Sequence, residues 1–180
     1  MAGKIIAVYG SAHVLPGSAE YEAARSVGGA LAAAGYAVMT GGYGGIMAGA
    51  SQGAAEQGGH VIGVTVNGVK LESERIVNPW VVEEIPTNSM RERLHILVDR
   101  ADGYVVMPGG VGTLQELAEA WQMQRLMEVP RPLVVFGGFW RPFIEELQRS
   151  AYVPREHAGL VRLAEHAQDV VVALRGNGRI

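Results

Sequence analysis

Short apolar runs rich in β-branched residues alternate along this chain with alanine-rich helical stretches, and the runs lack the in–out alternation of a half-exposed strand. A strand that is apolar on both sides must be covered on both sides, which in practice means helices on each face of a mainly parallel sheet. The spacing predicts strands over 4–11, 36–42, 60–66, 81–86, 103–110, 132–138 and 160–164. Between them it predicts helices over 18–35, 46–59, 88–103, 113–129, 141–152 and 167–175. Ser18 reads as an N-cap and Gly35 as a C-terminal stop. Ser89 and Glu92 read as a capping box, and residues 67–80 as a surface loop. No linker, repeat or low-complexity tract interrupts the pattern. The expected architecture is a single α/β domain over residues 1–180, Rossmann-like and doubly wound.

Composition narrows the function classes. A net charge of −3 gives no electrostatic case for nucleic acid or a membrane surface as partner. Cysteine is absent, which removes thiolate chemistry and cysteine zinc sites together. No apolar stretch reaches the ~18 residues of a membrane span, and the apolar run at the N-terminus is too short for a signal peptide, so a cytoplasmic location is expected. The five histidines, at 13, 60, 95, 157 and 166, show no metal-ligand spacing. Lysine occurs only at Lys4 and Lys70, and neither lies near a glycine loop where a pyridoxal-phosphate Schiff base would have to form.

In open parallel sheets, ligands bind beyond the carboxyl ends of the strands. Three glycine-rich loops are predicted there: YGSA (9–12), TGGYGG (40–45) and MPGGVGT (107–113). The Walker pattern is missing, since neither lysine follows a GxxxxG run. The dinucleotide fingerprint also fails: GSAHVLPG follows the first strand, and Met47 stands where a third glycine would be needed after Gly42 and Gly44. What remains is a bare loop, Gly109-Gly110-Val111-Gly112, opening a helix near Thr113. Its backbone N–H groups and the positive end of the helix dipole suit an anion such as phosphate.

Glu116 admits two readings. Thr113 to Glu116 has capping-box spacing, so the carboxylate could bond its own backbone. Alternatively it could face a bound ligand, held ionised by the helix dipole in the first turn, and then stabilise a cation or activate water. Arg93 lies at the border of an apolar helix face formed by Met90, Leu94, Leu97 and Ala101; such a residue is either a snorkelling surface arginine or a ligand contact.

Pro108 to Glu116 spells PGGxGTxxE, and this motif resembles the signature of the LONELY GUY (LOG) family, long labelled lysine decarboxylases. Residues 35–64, SMRER (89–93) and 132–147 resemble further segments of that family. The resemblance implies a homodimeric, cofactor-free and metal-free phosphoribohydrolase, which splits nucleoside 5′-monophosphates (cytokinin riboside monophosphates or AMP) into free base and ribose 5-phosphate. It also implies that Arg93 and Glu116 are the catalytic pair. Gly109, Gly110, Gly112 and Thr113 would cradle the phosphate; Gly10, Ser11, Gly44, Gly45 and Met90 would line the rest of the pocket. The long helix at 113–129, with extra apolar bulk at Trp121, Met123 and Met127, would take part in the dimer. The sequence departs from the family pattern in having Arg91 and Leu94 flanking the arginine motif, Gln115 before the glutamate, and an extra alanine in GIMAG. These changes bear on substrate choice. A related branch, the molybdenum-cofactor carrier-like proteins, shares the glycine–glutamate loop. A non-catalytic nucleotide-binding or molybdenum-cofactor-binding protein on the same fold is therefore the alternative.

Overall fold

The structure, a computed structural model, describes residues 3–67 and 76–176. Among the described residues, seven strands form one sheet in the order β4-β3-β2-β1-β5-β6-β7, and every neighbouring pair is parallel. The strands are β1 Ile5–Tyr9, β2 Ala37–Thr40, β3 Val61–Val66, β4 Glu83–Thr87, β5 Gly103–Val106, β6 Leu133–Phe136 and β7 Val161–Ala164. The helices are α1 Ala19–Ala33, α2 Ile46–Glu56, α3 Met90–Asp99, α4 Val111–Gln124, α5 Arg141–Arg149, the single-turn α6 Arg155–Ala158, and α7 Ala167–Arg175. This is the doubly wound arrangement expected from the apolar runs.

Side-chain alternation along β1 shows how both faces are filled. Ile6 and Val8 join a core built with α1, α2 and α7, while Ala7 and Tyr9 join one built with α3, α4 and α5. The edge strand β4, with two glutamates and Pro86, pairs only with β3, a position where a missing N–H is tolerated. Close helix packing accounts for part of the glycine content, 25 of 180 residues. A Cβ on Gly28 would lie 2.0 Å from the Ala50 carbonyl oxygen, and one on Gly53 would lie 1.8 Å from that of Arg25, so α1 and α2 touch backbone to backbone.

Helix ends follow local chemistry. The Ser18 hydroxyl accepts from Tyr21 N–H, and Gly35 leaves α1 in the left-handed region at φ +87°. Ser89 accepts from Glu92 N–H, while the Glu92 carboxylate reaches one residue further back than a capping box requires, to Asn88 N–H. Most elements are a few residues shorter than expected, and α4 is shifted as well. The helix predicted at 113–129 begins at Val111 and ends at Gln124. There the buried Gln124 amide oxygen accepts Arg131 N–H at 2.6 Å and draws the chain back towards the sheet. Lys70 and most of the loop expected over 67–80 lie outside the described residues. Lys4 precedes β1, at the end of the sheet away from the glycine loops.

Candidate active site

The strand order reverses direction at β1 and β5, so the connections leaving these two strands diverge and a crevice opens between them. The loop after β1 is tied to its neighbours on both sides. Ser11 N–H donates to the Pro108 carbonyl at 3.0 Å, and Ser11 C=O accepts Ile46 N–H, the start of α2, at 2.8 Å. The loop after β5 is fixed from beyond by Trp140, whose indole N–H donates to the Met107 carbonyl at 3.0 Å. Gly45 (φ +65°) must stay bare, since a Cβ there would lie 2.2 Å from Ser11 C=O.

The crevice is a cleft of about 200 Å³. Its wall includes Gly10, Ser11, Met90, Arg93, Gly110, Gly112, Thr113 and Glu116 from the sequence-derived set. Three residues of that set stand elsewhere. Gly44 is exposed beside the loop, Gly45 packs on the β1 loop, and Gly109 packs under Thr113, where a Cβ would lie 2.2 Å from the threonine hydroxyl. The cleft also has walls that sequence reasoning did not single out, at Ala12, His13, Met47 and Val111. Metal-ligand spacing gives His13 no role; the signal for it in the sequence is its place just past the carboxyl end of β1. Met90, read both as part of the apolar face of α3 and as a pocket residue, is exposed at the cleft.

Arg93 is not a snorkelling surface residue: it is 6% exposed. Its Nε–H donates to Val64 C=O at 2.7 Å, and its guanidinium carbon lies 5.8 Å from the centre of the Tyr43 ring. Gly41 lies flat against it, since a Cβ there would fall 1.6 Å from Nη2. Its Nη1 stands 3.8 Å from Glu116 Oε1, an ion pair. The helix carrying Arg93 is anchored at its far end: Tyr9 O–H donates to Leu97 C=O, and Tyr104 O–H and Arg131 Nη1 donate to Val98 C=O. Burial first, and then the neighbouring Glu116 charge, push the Tyr9 phenol well above its ordinary range, which keeps it a neutral donor.

The capping-box reading of Glu116 fails. The N-cap of α4 is Gly110, so Thr113 is the third helical residue and Glu116 lies in the second turn, where it faces Arg93. The expectation that it stays fully ionised fails as well. Its side chain is only 15% exposed, and desolvation raises its pKa to about 7 against the opposing pull of Arg93. The helix dipole weakens beyond the first turn and does not offset that burial. Glu116 can therefore hold or release a proton near neutral pH.

At the start of α4 the first intrahelical bond runs from Leu114 N–H to Gly110 C=O, so the N–H groups of Val111, Gly112 and Thr113 have no acceptor within the helix. Apart from its chain neighbours and its own helix backbone, no atom of the described residues lies within 4 Å of where a Cβ on Gly110 or Gly112 would sit, so their packing does not need glycine there. The bareness leaves room for something that is not protein. Among the described residues, no group of three or more histidine, aspartate or glutamate side chains is placed to hold a metal ion.

The family described as possible lysine decarboxylase matches residues 47–174. The cytokinin riboside 5′-monophosphate phosphoribohydrolase of Mycobacterium tuberculosis is 37% identical over 156 residues, covering 82% of this chain and 81% of that protein. Its namesake from Mycobacterium marinum is 32% identical over 159 residues, covering 84% and 83%. Among solved structures, the molybdenum cofactor carrier protein of Chlamydomonas reinhardtii superposes with a TM-score of 0.74 at 25% identity, covering 96% of each chain.

Proposed function

Starting from the fact that this chain belongs to the LOG family, we propose that its cleft hydrolyses the N-glycosidic bond of nucleoside 5′-monophosphates, AMP or a cytokinin riboside monophosphate, giving free base and ribose 5-phosphate. What supports this reading is the pairing, in one cleft, of an anion cradle with a buried Arg93–Glu116 pair 3.8 Å apart.

N-glycoside cleavage develops positive charge on the sugar, as O-glycoside hydrolysis does. The substrate's 5′-phosphate is held by the first-turn N–H groups of α4 and by Thr113. The ribose then lies towards Glu116, whose ionised form stabilises the oxocarbenium-like state and takes a proton from the attacking water. Arg93, which stays protonated, holds substrate oxygens in the reactive pose and favours the ionised form of Glu116.

Glu116→Gln keeps the shape and removes the charge. It should lower turnover of AMP by roughly 10²–10³-fold, read as release of ribose 5-phosphate; full activity in this variant would refute the mechanism. The likeness to molybdenum cofactor carriers supplies a second reading, a binder that uses the same cradle without turnover. Under that reading the unaltered protein binds nucleotide monophosphates or a pterin phosphate and releases no ribose 5-phosphate.

We also propose a homodimer. Trp121 and Met123 are partly spent on the protein's own core, but the end of α4 and the segment beyond it still expose Leu126 and Val129, and Tyr152 is 94% exposed nearby. A mass in solution equal to the 19.1 kDa chain would refute this.

A further inference from the structure

We propose that His13 is the general acid that protonates the departing base. The proposal rests on the hydrolase reading given above and adds the one proton source that reading lacks.

Cleaving a C1′–N bond leaves an electron pair on the base, and a purine or adenine-type base departs readily only if a proton reaches one of its nitrogens. Among the described residues that line the cleft, three carry ionisable side chains: His13, Arg93 and Glu116. Arg93 cannot give up its proton. Glu116 is committed to the sugar and the attacking water. The imidazole is what remains, and it is the side-chain type best suited to donating a proton near neutral pH.

The position of His13 is built rather than accidental. Its backbone N–H donates to the Ser11 hydroxyl at 3.1 Å. Ser11 itself is bonded to Pro108 on one side and to Ile46 on the other, so the loop that carries the imidazole is fixed to both walls of the cleft. His13 is exposed where it lines the lip of the cleft, whereas Arg93 and Glu116, which line it too, are largely buried. With the phosphate at α4 and the sugar at Glu116, the base reaches outward towards that lip.

The step balances. The C1′–N bond breaks and its electron pair passes to the base, which takes a proton from the protonated His13 ring. Water adds its oxygen to C1′ and gives a proton to Glu116. Solvent then returns a proton from Glu116 to His13. The products are free base and ribose 5-phosphate.

The test compares His13→Gln with the unaltered protein on AMP and on 7-methylguanosine 5′-monophosphate, whose base is already cationic and leaves without protonation. The expected result is a loss of roughly 10²-fold in kcat on AMP, with KM little changed and little loss on the methylated nucleotide. Full kcat on AMP overturns the proposal. So does an equal loss on both substrates, which marks a structural effect, or a change confined to KM, which marks a binding contact. If the unaltered protein does not accept the methylated nucleotide, the division between kcat and KM on AMP decides. If it cleaves neither of these nor a cytokinin riboside 5′-monophosphate, the hydrolase reading falls and takes this proposal with it.

Discussion

Glu116→Gln should change how the protein's stability depends on pH, in a direction opposite to ordinary acid denaturation. In the unfolded chain this carboxyl titrates near 4.5; in the fold, burial raises it to about 7. Because the folded value is the higher one, folding favours the protonated form. That contribution is full below about pH 4.5, declines as pH rises, and is gone above about 7. The displacement corresponds to roughly 3 kcal/mol once both states are ionised, at about 1.4 kcal/mol per unit. Glutamine has the same shape and does not titrate, so it escapes this loss. The gain from the substitution, relative to the unaltered protein, should therefore grow by about 2–3 kcal/mol between pH 5 and pH 8. Taking the difference cancels every other titrating group, as well as the pH-independent cost of weakening the contact with Arg93. Urea unfolding followed by circular dichroism, on both proteins at both pH values, measures it. A difference that stays flat from pH 5 to 8 would show that Glu116 is not held in a desolvated site.

The same shift predicts that kcat/KM on AMP rises with pH along a limb centred near 7, since the working form is ionised. Arg93→Met, which removes the neighbouring charge that favours ionisation, should move that limb to higher pH as well as lowering turnover. Gly110→Ala and Gly112→Ala should fold normally, because their new methyl groups meet no atom of the described residues within 4 Å beyond their chain neighbours and own helix backbone, yet raise KM for nucleotide by crowding the phosphate. Gly109→Ala should instead lower the unfolding free energy by about 1–3 kcal/mol, because its methyl group would press on Thr113 and on Ser11 N–H.

The sheet was legible in the sequence because the buried strands are mostly apolar; in β2 all four residues are buried and only Thr40 is polar. Ser18 and Gly35 were legible because capping depends on a few adjacent atoms. The C-terminal end of α4 was not, since it is set from a distance: Gln124 binds the N–H of Arg131, seven residues on and between Pro130 and Pro132. Glu116 shows the same limit more sharply. Spacing alone suits a capping box with Thr113, and only the true start of the helix at Val111 turns the carboxylate towards Arg93. The burial of Arg93 follows from a carbonyl at Val64 and a bare Gly41, both far from it in sequence. α6 escaped notice because four residues carry too little periodicity to read.

The backbone contact between α1 and α2 has a mechanical consequence. Two helices locked at Gly28 and Gly53, with the second bonded at its start to Ser11, behave as one slab backing one side of the crevice. Any breathing that admits a bulkier guest must then come from the opposing lip, where Met90 and Val111 begin their helices. Variants that broaden the range of accepted bases should accumulate on that lip, leaving the slab untouched.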